Sequence, residues 1–168
     1  DVIAGQGTAA LELLEDVPQL DVLIAPVGGG GLLSGTSIAA RGVKPGIRVF
    51  GAEPANAGDA AVAFRSGKVE PLPPGLWTIA DGLRTPLALR TLAAIRANVD
   101  DVGTCSEDAI VRAMRMTFEH MKLVIEPSSA VPLACLLDRS LCAPGARIGV
   151  IVSGGNVDLD RLPWQLGA

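Results

Sequence analysis

Three stretches of the chain are almost continuously apolar, at residues 21–27, 47–52 and 147–152. Short apolar runs rich in Val and Ile are typical of strands that are buried on both faces of a sheet. Residues 32–41 carry mostly small side chains and predict a packed helix between the first two runs. A strand, a helix and a strand with short connections require parallel pairing. The sequence therefore predicts an α/β fold with an open, mainly parallel sheet and helices on both faces.

The rest of the pattern predicts further helices, one short strand and a turn. Ser106 is a favourable N-cap for a long helix, since its hydroxyl can accept an N–H of the first turn. In that helix a core face recurs at helical spacing, at Ile110, Val111, Met114, Phe118 and Met121. We expect other helices at residues 9–14, 60–66, 87–97 and 131–137, a strand at 99–104, a turn at 5–8 and a break in the helical pattern at 125–130. No repeat or linker divides the chain, so we interpret residues 1–168 as a single domain.

Four consecutive glycines, Gly28, Gly29, Gly30 and Gly31, connect the first predicted strand to the helix after it. A strand, a glycine turn and a helix together direct backbone N–H groups and a helix N-terminus toward an anion. Because glycine has no Cβ, a phosphate can lie directly against this main chain. The alternative is a flexible loop that needs glycine only for positive φ. We favour phosphate binding because the turn lies between a strand and a helix.

Composition and charge narrow the class of protein. The chain is 49% hydrophobic, has a formal net charge of −4, and contains only 3% aromatic residues. With no basic block, it lacks the surface that nucleic-acid binding requires. No apolar run is long enough to span a bilayer, so we expect neither a membrane partner nor a targeting segment. The cysteines, Cys105, Cys135 and Cys142, lack metal-ligand spacing and favour reduced thiols in the cytoplasm.

Chemically distinctive turns come directly after all three apolar runs, at residues 28–31, 53–59 and 153–156. The carboxyl ends of parallel strands meet at one edge of a sheet, and ligands of such folds bind there. The sequence therefore predicts a binding site at this edge.

Five motifs occur in order along the chain, at residues 5–8 (GQGT), 26–32 (PVGGGGL), 52–54 (AEP), 125–127 (IEP) and 153–156 (SGGN). Together they resemble the C-terminal half of the serine/threonine dehydratase and serine racemase family. These are pyridoxal-phosphate-dependent enzymes of fold type II, which have the tryptophan-synthase-β-like fold. The resemblance covers almost the whole chain and is strongest to the serine racemase branch. It implies the large cofactor-binding domain, incomplete at its N-terminus and without a regulatory domain.

The resemblance also implies cofactor-binding roles. Gly28–Gly31 and the N–H of Leu32 would hold the phosphate of pyridoxal phosphate, and Ser153 would share a hydrogen bond with the pyridine nitrogen. Glu126 would lie near the cofactor ring. From the residues alone, Ser153 is equally a strand-end cap that bonds its own turn. Glu126 equally interacts with the positive N-terminus of the helix that it precedes.

A divalent cation, Mg²⁺, Ca²⁺ or Mn²⁺, is implied at the turn after the second strand. In the resembling branch its ligands are Glu53, the carbonyl of Ala57 and Asp59, and oxygen ligands of this kind suit hard cations. Gly58 stands where a second acidic residue is common, so one outer contact is expected to be missing. The alternative is a solvated loop with two ordinary surface acids.

By resemblance, the full-length protein is a homodimeric ammonia-lyase. It would eliminate the β-hydroxyl of L-serine, L-threonine or a related β-hydroxy amino acid and release a 2-keto acid and ammonia. Racemisation of serine or aspartate is the alternative within the family. The cofactor-binding lysine of the family belongs to its N-terminal half, so we expect no catalytic residue in this chain and no activity of the chain alone. A different class of function is a non-catalytic phosphate- or nucleotide-binding module, because Glu53 lies about twenty residues after Gly31, where a ribose-binding acid would lie.

Overall fold

A parallel sheet forms the centre of the molecule and determines where its strands end. The computed structural model describes residues 1–69, 71–72, 74–141 and 144–165. Val22 of the first strand pairs with Arg48 on one side and Ile148 on the other. The predicted parallel α/β architecture is confirmed. Within the described residues four strands form the sheet in the order β3-β2-β1-β4: β1 (Val22–Pro26), β2 (Arg48–Pro54), β3 (Asp101–Cys105) and β4 (Ile148–Val150).

Helices connect these strands. A π-helical turn, Thr117–Met121, directly continues one of them, and short 3₁₀ turns lie at Ala55–Ala57, Asp81–Leu83 and Leu159–Arg161. The α-helices of the described residues are α1 (Val2–Gln6), α2 (Thr8–Asp16), α3 (Gly31–Val43), α4 (Asp59–Ser66), α5 (Leu89–Asn98), α6 (Glu107–Met116) and α7 (Pro127–Leu137).

The two faces of the sheet are buried against different helices. Leu23 and Ala25 of β1 belong to one apolar cluster, which α2, α3 and α5 complete. Val22 and Ile24 belong to the other, which α6 and α7 complete. Successive side chains of a strand point to opposite faces, so a strand covered on both faces is apolar throughout. This burial accounts for the continuous apolar run and confirms the expected helices on both faces.

Most predicted elements are confirmed, with shifted ends. The Ser106 hydroxyl accepts the Ala109 N–H at 3.2 Å and caps α6 as expected. The strand expected at residues 147–152 already ends at Val150. The break expected at 125–130 is wrong in its second half, because α7 begins at Pro127. Proline is tolerated at this position because the first N–H groups of a helix have no intrahelical partner.

The turn predicted at residues 5–8 is wrong, since α1 and α2 meet there through Gly7, which has helical dihedrals. The glycine serves packing instead. Gly7 lies against Gly35 of α3, and a Cβ on Gly35 would lie 2.7 Å from the Gly7 nitrogen and would overlap the Ile3 carbonyl oxygen. The two backbones therefore approach too closely for any side chain.

The core face predicted for α6 is confirmed only in its first half. Ile110 and Met114 are buried, whereas Phe118 is 40% and Met121 61% exposed. The α-helix ends at Met116 and continues as the π-helical turn, which changes the direction of the later side chains. A periodicity fitted to a single α-helix does not hold across such a change.

No helix in the described part of the chain has the length and apolar character needed to cross a membrane. The longest of those helices, α3, has 13 residues, whereas a membrane span needs about 20.

Gly35→Ala is expected to lower the free energy of unfolding by roughly 2–3 kcal/mol, because the new Cβ meets backbone that cannot move aside. Gly42 lies on the same helix, and a Cβ there would have nothing within 4 Å, so Gly42→Ala is the matched control. It should raise stability by about 0.5–1 kcal/mol, since alanine favours the helix. Urea unfolding of the intact protein measures both. Equal effects of the two substitutions would contradict the close approach of α1 and α3.

Candidate functional site at the carboxyl edge of the sheet

The glycine turn leads directly from β1 into the N-terminus of α3. Gly30 is the N-cap of α3 and has a left-handed φ of 84°. A Cβ there would lie 2.7 Å from Leu87 Cδ2 and 2.8 Å from Thr91 Cβ. Gly30 is the one member of the four that has positive φ. The need for positive φ therefore explains only Gly30. Gly28, Gly29 and Gly31 do not need glycine for positive φ, and they leave the main chain there without side chains.

A cleft of about 220 Å³ lies over this turn. Every residue expected to hold the cofactor lines it, so the structure brings Glu126 and Ser153 together with the glycine turn. The residues that line the cleft are Pro26, Gly28, Gly29, Gly30, Gly31, Leu32, Gly82, Leu83, Glu126, Ser128 and Ser153.

Glu126 is the one ionisable side chain among these lining residues. Capacity for an anion therefore comes from the main chain and from α3. The helix N-terminus carries a partial positive charge and N–H groups without intrahelical partners. Such a cleft suits an anion that is bound through backbone N–H groups.

Ser153 lies just beyond β4 and is held by α7. Its hydroxyl lies 3.1 Å from the hydroxyl of Ser129, and its N–H donates to Ser129 Oγ at 3.2 Å. The side chain thus contacts a neighbouring helix and not the adjoining glycine turn. This geometry argues against the alternative in which Ser153 caps its own turn.

Glu126 is the N-cap residue of α7, but its side chain makes no capping hydrogen bond to that helix. Its Oε2 instead accepts the Asn156 N–H at 3.0 Å, and its own N–H donates to the Gly154 carbonyl at 3.1 Å. A Cβ on Gly154 would lie 2.9 Å from Glu126 Cδ. Glu126 therefore fixes the turn after β4 against the start of α7.

Gly82, Leu83 and Ser128 line the cleft although sequence reasoning assigned them no role. The 3₁₀ turn Asp81–Leu83 covers the glycine turn, since a Cβ on Gly28 would lie 3.1 Å from the Leu83 Cα. Ser128 Oγ accepts the Gly82 N–H at 3.1 Å and fixes this cover. The available signal was the Asp-Gly turn itself, which indicates a loop but not its place in the fold.

Glu53 and Asp59 do not line the cleft and lie at a separate position: Glu53 is near the end of β2, and Asp59 begins α4. Glu53 is 1% and Asp59 7% exposed, so the alternative of two surface acids is wrong. The Glu53 carboxylate accepts N–H groups of α4, from Ala60 at 3.1 Å and Ala61 at 2.6 Å. Burial raises the pKa of Glu53 to about 8, although these two hydrogen bonds oppose the shift. Burial also raises the pKa of Asp59.

Three or more His, Cys, Asp or Glu side chains do not gather into a metal-binding group anywhere in the described residues. The expected cation site requires only two carboxylates and the carbonyl of Ala57, so it stays a prediction. Cys105 and Cys135 are free and buried. Cys142 lies outside the described residues.

The family model described as pyridoxal-phosphate dependent enzyme matches residues 1–154. The match includes the glycine turn, the Glu53 position, Glu126 and Ser153.

Known proteins match the chain over almost its whole length. It is 47% identical to a β-hydroxyaspartate dehydratase of Paracoccus denitrificans, over 98% of this chain and 52% of that protein. It is 49% identical to a serine racemase of Dictyostelium discoideum, over 96% of this chain and 51% of that protein. Among solved structures, maize serine racemase superposes with a TM-score of 0.89 at 46% identity, over 98% of this chain and 51% of that chain. The chain therefore spans about half the length of the relatives it matches.

Gly30→Ala is expected to lower the free energy of unfolding by about 2–5 kcal/mol. The left-handed conformation costs a side chain about 1–2 kcal/mol, and the collision with Leu87 and Thr91 adds to it. Gly29→Ala is the matched control, because its Cβ would make only ordinary contacts, with Thr85 Cγ2 at 3.4 Å and the Pro86 carbonyl oxygen at 3.9 Å. It should change stability by about 0.5 kcal/mol or less. Urea unfolding of the intact protein compares the two, and an equal loss would contradict the special conformation of Gly30.

Proposed function

The chain belongs to the pyridoxal-phosphate dependent enzyme family, and from that premise we propose that it supplies one half of an active site for β-hydroxy amino acids. The proposed reaction is β-elimination, which removes the β-hydroxyl as water and then yields a 2-keto acid and ammonia. The observation that carries the proposal is the cleft at the carboxyl edge of the sheet. It combines an anion-binding glycine turn with an uncharged hydroxyl, that of Ser153.

The residues of the cleft fit the phosphate of pyridoxal phosphate. Gly28–Gly31 and Leu32 would bind it, because the glycine main chain carries no side chain between its N–H groups and the cleft. The N-terminus of α3 would stabilise its negative charge. The backbone of the glycine turn is bare, and no lysine or arginine is among the lining residues. Both facts favour binding of the phosphate through backbone N–H groups over a side-chain ion pair.

Ser153 would face the ring nitrogen, and Glu126 would border the ring. When bound, pyridoxal phosphate acts as an electron sink for the bond that breaks at the substrate α-carbon. A hydroxyl cannot keep the ring nitrogen protonated as a carboxylate can. This makes the electron sink weaker and favours prompt loss of the β-hydroxyl. The Glu126 carboxylate is held by the Asn156 N–H, and we assign it the role of fixing the cleft wall.

Racemisation is the second candidate within the family. Both reactions begin by removing the α-proton; racemisation then returns a proton to the α-carbon, whereas elimination expels the β-hydroxyl. The relatives support both, because a β-hydroxyaspartate dehydratase and a serine racemase match at nearly equal identity. Serine, threonine and 3-hydroxyaspartate are therefore the substrates to compare.

The nucleotide-binding alternative conflicts with the position of Glu53. A ribose-binding acid must present a free carboxylate to the cleft. Glu53 is buried, and both of its oxygens accept N–H groups of α4.

The second part of the proposal is a structural divalent cation at Glu53, Ala57 and Asp59. Two buried carboxylates lie near each other here, and the negative charge of Asp59 contributes to the raised pKa of Glu53. A cation such as Mg²⁺ would offset that repulsion and the cost of burial. Ala57 ends the 3₁₀ turn just before Asp59, so its carbonyl belongs to the same turn.

Two further expectations remain predictions. We propose a homodimer on the basis of the family resemblance alone. We propose a cytoplasmic location because Cys105 and Cys135 are buried free thiols, which suit a reducing compartment.

The main test is a product assay on the full-length protein, with pyridoxal phosphate and each candidate amino acid. We expect 2-keto acid and ammonia. Gly29→Asp should lose most of the cofactor affinity, because a carboxylate in the glycine turn repels the phosphate. Gly29→Asn has the same shape without the charge and should retain more of it.

If the assay yields D-amino acid without keto acid, the reaction is racemisation and the proposed elimination is wrong. Absence of pyridoxal phosphate binding in the intact wild-type protein would overturn the whole proposal. Equal affinities of the Asp and Asn variants would contradict the phosphate position.

For the metal, we expect Mg²⁺ to raise the thermal unfolding midpoint of the intact, EDTA-treated protein. Gly58→Asp should enlarge this effect, because a Cβ at Gly58 lies 3.9 Å from Glu53 Oε1 and would add a third carboxylate. The φ of −82° at Gly58 accepts a side chain, and its Cβ would lie 3.3 Å from the Ala55 carbonyl oxygen, a close contact that the Asp and Asn variants share. Gly58→Asn is the uncharged control. No shift with Mg²⁺ in the wild-type protein would contradict the cation site.

A further inference from the structure

Ser129, on α7, is surrounded by polar atoms of the turn after β4. It is 1% exposed. Its Oγ accepts the Gly154 N–H at 2.6 Å and the Ser153 N–H at 3.2 Å. The same Oγ lies 2.8 Å from the Gly154 carbonyl oxygen and 3.1 Å from Ser153 Oγ. One buried hydroxyl thus has four polar neighbours.

A hydroxyl has one hydrogen to donate and two lone pairs with which to accept. The two backbone N–H groups occupy both lone pairs of Ser129. Its single hydrogen can go to the Gly154 carbonyl or to Ser153 Oγ. In neither arrangement does Ser129 have a lone pair left for the hydrogen of Ser153.

The Gly154 carbonyl already has another donor, the Glu126 N–H at 3.1 Å. A carbonyl oxygen has two lone pairs, so it can also accept the hydrogen of Ser129 at 2.8 Å, and Ser153 Oγ at 3.1 Å is the other acceptor within reach. Whichever of the two accepts it, Ser153 cannot donate to Ser129 and keeps its own hydrogen for another partner. Since Ser153 lines the cleft, that hydrogen is available to a ligand there.

We propose that Ser129 is a positioning residue that fixes the Ser153 hydroxyl as a hydrogen-bond donor toward the cleft. The inference rests on the proposed function, in which Ser153 faces the ring nitrogen of pyridoxal phosphate. A donor at this position selects a ring nitrogen that carries a lone pair. Ser129 thus influences the protonation state of the ring without touching it.

The test compares two ligands on the intact protein by equilibrium titration: pyridoxal phosphate and its analogue with a CH group in place of the ring nitrogen. The wild-type protein should bind the nitrogen-containing ligand roughly threefold to tenfold more tightly, as one neutral hydrogen bond allows. Ser153→Ala should abolish this preference. Ser129→Ala should remove most of it, because the orientation of Ser153 is no longer enforced.

The ratio of the two affinities separates positioning from a general loss of structure, which would weaken both ligands equally. Ser37→Ala is the matched control, since Ser37 is fully buried and its hydroxyl donates to the Ser34 carbonyl within α3 at 3.1 Å. It should leave the ratio unchanged. Where circular dichroism shows that Ser129→Ala does not fold, Ser129→Cys keeps the size of the side chain with a weaker hydrogen-bonding group and should also lower the ratio.

A full preference for the nitrogen-containing ligand in the folded Ser129 variant would overturn the positioning role and leave the proposed function standing. Failure of the wild-type protein to bind either ligand would overturn both.

Discussion

The parallel pairing of β1 with β2 on one side and β4 on the other is the constraint on which the rest of the structure depends. It places the ends of three strands at one edge of the sheet. Each segment that leaves the sheet there has backbone groups that need new partners. After β1 the chain passes through the glycine turn, whose backbone carries no side chains, into the N-terminus of α3. After β2 the Glu53 side chain accepts N–H groups of α4, and after β4 Ser129 accepts those of the turn. One structural requirement is thus met in three chemically different ways at the same edge.

The strands and the glycine turn could be predicted because their signals are local. An apolar run is buried on both faces only in a covered parallel sheet, and a glycine run after a strand has few other uses. The cover over the cleft could not be predicted in this way. It depends on a hydrogen bond between Gly82 and Ser128, which lie 46 residues apart in the sequence. Nothing near either residue indicates that they meet. The glycines at positions 7 and 35 show the same limit, since a close approach of two helices leaves no pattern in either segment.

The burial of Glu53 and Asp59 could not be predicted from the composition of the segment that contains them. A loop with two carboxylates is polar by composition, and polar loops usually lie in solvent. Glu53 nevertheless enters the interior, where it accepts the N–H groups of residues seven and eight positions further along the chain. That span exceeds any local capping motif, so the position of the side chain depends on how α4 packs against the sheet. The two hydrogen bonds offset part of the cost of burying the carboxylate, and the part that they do not offset raises the pKa of Glu53.

Reciprocal polar contacts join the start of α7 to the turn after β4. Glu126 donates its N–H to the Gly154 carbonyl and accepts the Asn156 N–H, while Ser129 accepts N–H groups of the same turn. In such a network each group satisfies another, so the loss of one member leaves its partners without that hydrogen bond. The glycine at 154 is part of this arrangement, because a Cβ there would displace the Glu126 carboxylate. The network also engages the one charge among the lining residues of the cleft, since the Glu126 carboxylate accepts the Asn156 N–H. A ligand therefore meets backbone N–H groups at one end of the cleft and the neutral Ser153 hydroxyl elsewhere, which suits an anionic group attached to an uncharged ring.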